Sequence, residues 1–133
     1  MLKKSGESNI QKAIFRYLVQ QNFLVIRVNS GAITQNYKGK ERHFSFVRWQ
    51  ESGRRQTARG LADILALAPW GQLFAIECKA KGKIGRTSDI QLAFLEAVEN
   101  RQAVGLIADS LEDVIAAIAY HRPSQNRDPA SFM

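Results

Sequence analysis

The chain has 133 residues, 45% hydrophobic and 23% charged, a globular composition with enough length for one domain and its core but not for two. Nineteen Lys and Arg against twelve Asp and Glu give a formal charge of +7 and a pI near 9.9, which points to a polyanionic partner. No apolar run is long enough to span a membrane, the start Met1-Leu-Lys-Lys has no signal-peptide core, and the lone Cys78 excludes an internal disulfide and a cysteine-cluster zinc site, so a cytoplasmic protein with no membrane partner is expected.

In chain order, the spacing of Ile10, Ala13, Ile14, Tyr17 and Leu18 predicts a helix over about 8–21, opened by a Ser8–Gln11 capping box. Glu7 lies near its inward stripe. It reads either as a first-turn acid favourable to the helix dipole or as a site residue, with Gln11 a weaker candidate on the same face. Phe23-Leu-Val-Ile-Arg-Val28 predicts a strand, closed by an Asn29-Ser30-Gly31 turn.

From about 32 to 59 the pattern weakens into an insertion rich in cations: Lys38, Lys40, Arg42, Arg48, Arg54, Arg55 and Arg59. His43 to Trp49 alternates like a strand, so a β-ribbon is expected there. Its cations can neutralise phosphates, and Tyr37, Phe44, Phe46 and Trp49 can stack on unpaired bases or pack onto the domain.

Two strands follow, Gly60 to Leu67 and Phe74 to Lys79, joined by Pro69-Trp70-Gly71. Side chains alternate between strand faces, so Cys78 joins Phe74 and Ile76 on an apolar face while Glu77 and Lys79 share the other. If the strands pair, Asp63 and Glu77 converge with Lys79 beside them. Two such carboxylates repel unless a cation lies between them. Mg²⁺ takes oxygen ligands and keeps several waters, so two carboxylates suffice to bind it.

A basic loop follows, with Lys81, Lys83 and Arg86 placed to meet phosphates; it lacks the pattern of a Walker A loop. A second helix spans about 88–100, with Ser88 and Gln91 forming a capping box and Gln91 also facing inward. A buried strand over 103–108 and a helix from Ser110 to Arg122-Pro123 complete the fold, and residues 123–133 read as a disordered tail after a single domain, 1–122. The two histidines, His43 and His121, read as surface residues, and Cys78 as a core residue.

Asp63 followed by Glu77-x-Lys79 resembles the PD-(D/E)xK nuclease motif. Gly60-x-x-Asp63, Gln91 on the next helix and an early Glu7 resemble more narrowly its VRR-NUC branch, from about Glu7 to the last helix. One position departs: Ala62 stands where the motif carries proline. The resemblance implies an α/β, restriction-endonuclease-like αβββαβ core whose mixed sheet is flanked by helices. It also implies a Mg²⁺-dependent endonuclease (Mn²⁺ substituting) that hydrolyses DNA, branched or flap DNA included as for Holliday-junction resolvases, and that works as a homodimer.

In that scheme Asp63, Glu77, Lys79 and Gln91 are catalytic. The metal is held by Asp63, Glu77 and the backbone carbonyl of Cys78, with Glu7 helping. Lys79 orients or deprotonates the attacking water. The cations of the insertion and of the 80–87 loop hold the nucleic acid. Two other readings stand beside it: a non-catalytic nucleic-acid-binding module using the same basic surface, and a structural Glu77–Lys79 ion pair on the sheet, which would leave Asp63 unexplained.

Overall fold

The computed structural model describes residues 6–28, 32–37, 39–45, 47–54 and 58–124, with only the backbone described at 32–37, 40–45, 58 and 59. In chain order the elements are α1 (Gly6–Gln20), β1 (Leu24–Arg27), β2 (Ala32–Tyr37), β3 (Lys40–Ser45), β4 (Arg48–Trp49), β5 (Ala58–Arg59), β6 (Ile64–Leu67), β7 (Leu73–Cys78), α2 (Asp89–Glu99), β8 (Val104–Ala108) and α3 (Leu111–His121). A short 3-10 turn, Ile84–Arg86, lies in the loop before α2.

Four strands form a mixed sheet in the order β1-β6-β7-β8. β6 pairs antiparallel with β1 and β7, while β7 and β8 are parallel and connected through α2. A parallel pair needs such a crossover, which puts a helix on a sheet face. One face carries the main core, where Ile14 and Leu18 of α1 and Val114 and Ile118 of α3 meet Ile64, Phe74, Ile76 and Cys78. The other face carries α2, whose Leu95 and Val98 pack on Ala62 and Ala75. The chain is thus α/β, a four-stranded mixed sheet flanked by three helices.

β7 is buried on both faces, as the apolar run Leu73 to Ile76 predicts. Toward β1 the α2 side is open: Leu24 pairs with Leu67 and Ile26 with Leu65, and Leu24, Ile26 and Leu67 are exposed. The α2–β8 contact is close. A Cβ on Gly105 would lie 2.7 Å from the Leu95 carbonyl oxygen, so only glycine allows this approach.

The structure departs from expectation at the start of α1, in the 43–49 strand and at His121, and β6 is shorter than expected, beginning at Ile64. α1 begins at Gly6, so Ser8 lies inside its first turn and does not cap it. The helix extends so that Gly6 comes beside Ala80, where a Cβ on Gly6 would be 3.9 Å from the Ala80 Cβ. The expected strand over 43–49 is divided: β3 ends at Ser45 in a hairpin with β2, and Arg48–Trp49 forms a separate two-residue ladder with β5. His121 is half-buried, its ring edge-on to Phe74 at 5.9 Å, because the last turn of α3 folds back over the core. The tail from 125 to 133 lies outside the described residues.

Candidate active site

The chemistry-bearing residues gather at one end of the sheet, where β7 and β8 finish and β6 starts. All three helices begin there as well. β7 leads through the 80–87 loop into α2, β8 leads into α3 within two residues, and Gly6 of α1 sits by Ala80. Ser88 and Ser110 cap α2 and α3, as their spacing predicts. A helix N-terminus carries partial positive charge and unpaired N–H groups, so three of them favour an anion at this end.

Strand register brings the acids together. Ile64 pairs with Ile76, so one position outward Asp63 stands opposite Glu77. The Asp63 carbonyl accepts the Val28 N–H at 2.9 Å, and its Oδ2 accepts the Cys78 N–H at 2.8 Å. Asp63 is thereby tied to the strands on both sides.

Glu77 is 2% exposed. Its Oε2 accepts the Gln91 amide and lies 3.7 Å from Lys79 Nζ. Its Oε1 is buried with no donor among the described residues. Gln91 Oε1 in turn accepts Lys79 Nζ at 3.2 Å and the Ser88 N–H at 3.0 Å. Gln91 therefore caps α2 and reaches Lys79 and Glu77 with the same amide. The Glu77–Lys79 ion pair is present, with Glu77 buried and Lys79 half-buried, so it does not lie on an open sheet surface.

Electrostatics follow from this packing. Burial pushes the Asp63 carboxyl above its ordinary value, against the pull of the Cys78 N–H. Glu77 is pushed up to about 8, first by burial and then by the negative charge of Asp63, with Lys79 pulling the other way. The closeness of the two carboxyls lowers Asp63 and raises Glu77, so a proton at this pair is held on Glu77. Glu7 adds a weaker negative field at Glu77 and at Cys78. Burial raises the Cys78 thiol well above its usual range, which rules it out as a nucleophile near neutral pH. The thiol is fully buried in the core, so only the Cys78 backbone could add an oxygen to a metal.

This donor set fits a hard divalent cation. The buried Glu77 and half-buried Asp63 carboxylates hold more acceptor capacity than the donors around them satisfy among the described residues, and a cation meets that need. Among the described residues no three His, Cys, Asp or Glu side chains cluster as a metal-binding group. Glu7 acts through space on Glu77 and Cys78.

The basic residues divide into groups. Lys81, Lys83 and Arg86 are exposed on the loop beside the site, and that loop is fastened to the end of β8 by the Gly82 N–H donating to Asp109 at 2.9 Å. Arg48 is exposed. Arg54 lies 4.3 Å over the Trp49 ring and 4.0 Å from Glu51, and Trp49 packs edgewise on Phe94 of α2. Trp49 is therefore a packing residue, with a cation on its face where a base would stack. Lys38 and Arg55, and the side chains of Lys40, Arg42, Arg59, Tyr37 and Phe44, lie outside the described residues, as does Phe46.

One interaction has no local signal in the sequence. Arg101 at the end of α2 bonds Glu51 at 2.9 Å, fixing the insertion to the domain across fifty residues of chain. No family model, no curated protein and no solved structure matches this chain.

Proposed function

We propose that the chain is a divalent-metal-dependent endodeoxyribonuclease, similar to the VRR-NUC branch of the PD-(D/E)xK nucleases, built on a restriction-endonuclease-like αβββαβ core. The observation that carries this reading is the convergence of Asp63, Glu77, Lys79 and Gln91 at one end of the sheet, with a buried Glu77 oxygen that has no donor among the described residues. A binding module has no use for two converging acids, one of them buried, turned toward a polyanion. Repulsion of phosphate by such acids is offset only if they hold a cation.

Asp63 and Glu77 would hold Mg²⁺ or Mn²⁺, aided by the Cys78 carbonyl and, from α1, by Glu7. When bound, the ion supplies positive charge to a phosphoryl oxygen and makes nearby water more acidic. The residues of the chain do the rest. Lys79 is aimed by the Gln91 amide oxygen and by Glu77, so its ammonium orients the attacking water and neutralises charge that develops on the phosphate. Water adds to phosphorus and the bond to the 3′ oxygen breaks, leaving a 5′-phosphate and a 3′-hydroxyl. The helix N-termini and Lys81, Lys83 and Arg86 hold the backbone on either side. Branched DNA as the preferred substrate, and a homodimer as the working form, belong to the same reading.

The test uses labelled duplex, flap and four-way-junction DNA with Mg²⁺, Mn²⁺ or EDTA. Wild-type protein should cut at least one of them with metal and none in EDTA. Asp63→Asn and Glu77→Gln should abolish cutting, and Lys79→Ala should slow it about 10²–10⁴-fold. Cleavage persisting at the wild-type rate in either carboxylate variant would sink the assignment. Binding of DNA with no cleavage of any substrate would favour the non-catalytic module.

A further inference from the structure

The inward stripe of α1 reads Glu7, Gln11, Ile14, Leu18, and the last three are its buried residues. Gln11 is only 9% exposed, and its Nε2 has no acceptor among the described residues. A buried donor without a partner costs stability, and an apolar residue here would simply continue the stripe.

The position of Gln11 suggests its purpose. β1 and β7 both run antiparallel to β6, and α1 turns back into β1, so α1 runs opposite to β7. Gly6 lies beside Ala80. Five residues of helix advance about 7.5 Å, and two residues of strand about 7 Å. Gln11 is therefore level with Cys78, whose N–H anchors Asp63. Glu7 lies one turn nearer the open end, where its charge is felt at both Glu77 and Cys78. Residues four apart on a helix are neighbours, and a glutamine amide can donate to a carboxylate at that spacing.

We infer that Gln11 is a positioning residue of the proposed nuclease site: its free amide donor holds the Glu7 carboxylate against the Asp63–Glu77 pair when a divalent cation is bound. The inference rests on the nuclease reading. It places a second side-chain amide at the site from the sheet face opposite to Gln91. Gln11 touches no substrate; it acts through Glu7.

The experiment follows thermal unfolding of the full chain, without DNA, as Mg²⁺ or Mn²⁺ is titrated into wild type, Gln11→Leu, Glu7→Gln and the double variant. Without metal, Gln11→Leu should melt no lower than wild type, since it removes an unpaired buried donor. Its half-saturating cation concentration should rise about 10–100-fold, the usual effect of losing a residue that orients a ligand. Glu7→Gln should raise it as well, and the double variant should be no worse than Glu7→Gln alone, because the two side chains act as one unit.

An unchanged half-saturation in Gln11→Leu, or effects that add in the double variant, overturns the inference while leaving the nuclease reading in place. So does a Gln11→Leu protein that melts well below wild type without metal, which would mean that the amide has a structural partner. A wild-type protein that responds to neither cation removes the nuclease reading, and the inference with it.

Discussion

Glu77 carries the strongest consequence of any single residue. Its carboxyl is pushed up to about 8 by burial and by Asp63, above the ordinary value of 4.5. In metal-free protein the folded state therefore holds this proton more tightly than the unfolded chain does. The associated stability is fully present below about pH 4.5 and is lost as pH rises through about 8. Glu77→Gln keeps the shape and removes the titration. Thermal melts in EDTA from pH 5 to 9 should show wild type losing ground to Glu77→Gln as pH rises, the gap widening from about pH 5 to about 8 and levelling off above. A constant gap across that range would mean that Glu77 is not held protonated. Added Mg²⁺ should narrow the gap, because a bound cation favours the ionised pair.

At the scale of the element, α2 matters most. Its first turn presents Gln91 to Glu77 and Lys79, and its middle lies so close to β8 that Gly105 must stay glycine. Helix capping and site support are carried by one side chain, and they can be separated. Glu in place of Gln91 preserves the capping box and suits the helix dipole, but it replaces the donor to Glu77 with another negative charge. Gln91→Glu should keep its melting temperature close to wild type while cleavage falls by about 10–100-fold. Gln91→Ala should lose the cap as well, at about 1 kcal/mol. Cleavage and melting measured on the same preparations decide the matter, and normal cleavage in both variants would leave Gln91 with capping alone. The insertion is a second element with a role in shape: Trp49, Arg54, Glu51 and Arg101 interlock it with α2, so Arg54 has a packing partner within the protein.

For the whole molecule, the +7 charge becomes directional once the fold is known. Lys81, Lys83 and Arg86 are exposed on the loop that joins β7 to α2, next to the carboxylates, at the end where all three helices begin. If these cations hold phosphates, DNA binding must release counterions. Removing one such cation should then shallow the slope of log K against log salt by about 0.9 on duplex DNA. Changing all three to alanine should weaken binding for every sequence alike, since phosphate contacts position but do not specify. A titration between low and moderate salt measures this, with circular dichroism to show that the fold is retained. An unchanged slope would move the DNA to another surface. No helix among the described residues is long and apolar enough to cross a membrane.

The sequence by itself determined what depends on neighbours along the chain. Alternation in Phe74 to Lys79 marked a strand with its acid on one face, and a short turn at Pro69-Trp70-Gly71 forced the antiparallel pairing that brings Asp63 opposite Glu77. Ser88 and Ser110 announced their helices because a cap is a local hydrogen bond. The tertiary structure alone decided what depends on the meeting of distant segments. Ser8 and Gln11 have the spacing of a capping box, yet the helix starts earlier and leaves Gln11 buried, its amide donor without an acceptor among the described residues. A polar residue on an inward stripe looks the same in sequence whether a core or a site lies beneath it. Trp49 could have stacked on bases or on the domain, and only the docking of the insertion on Phe94 settled which ring it meets. Burial decided the remainder: the sequence names Glu77, but its high proton affinity arises only when the sheet and α2 exclude water from around it.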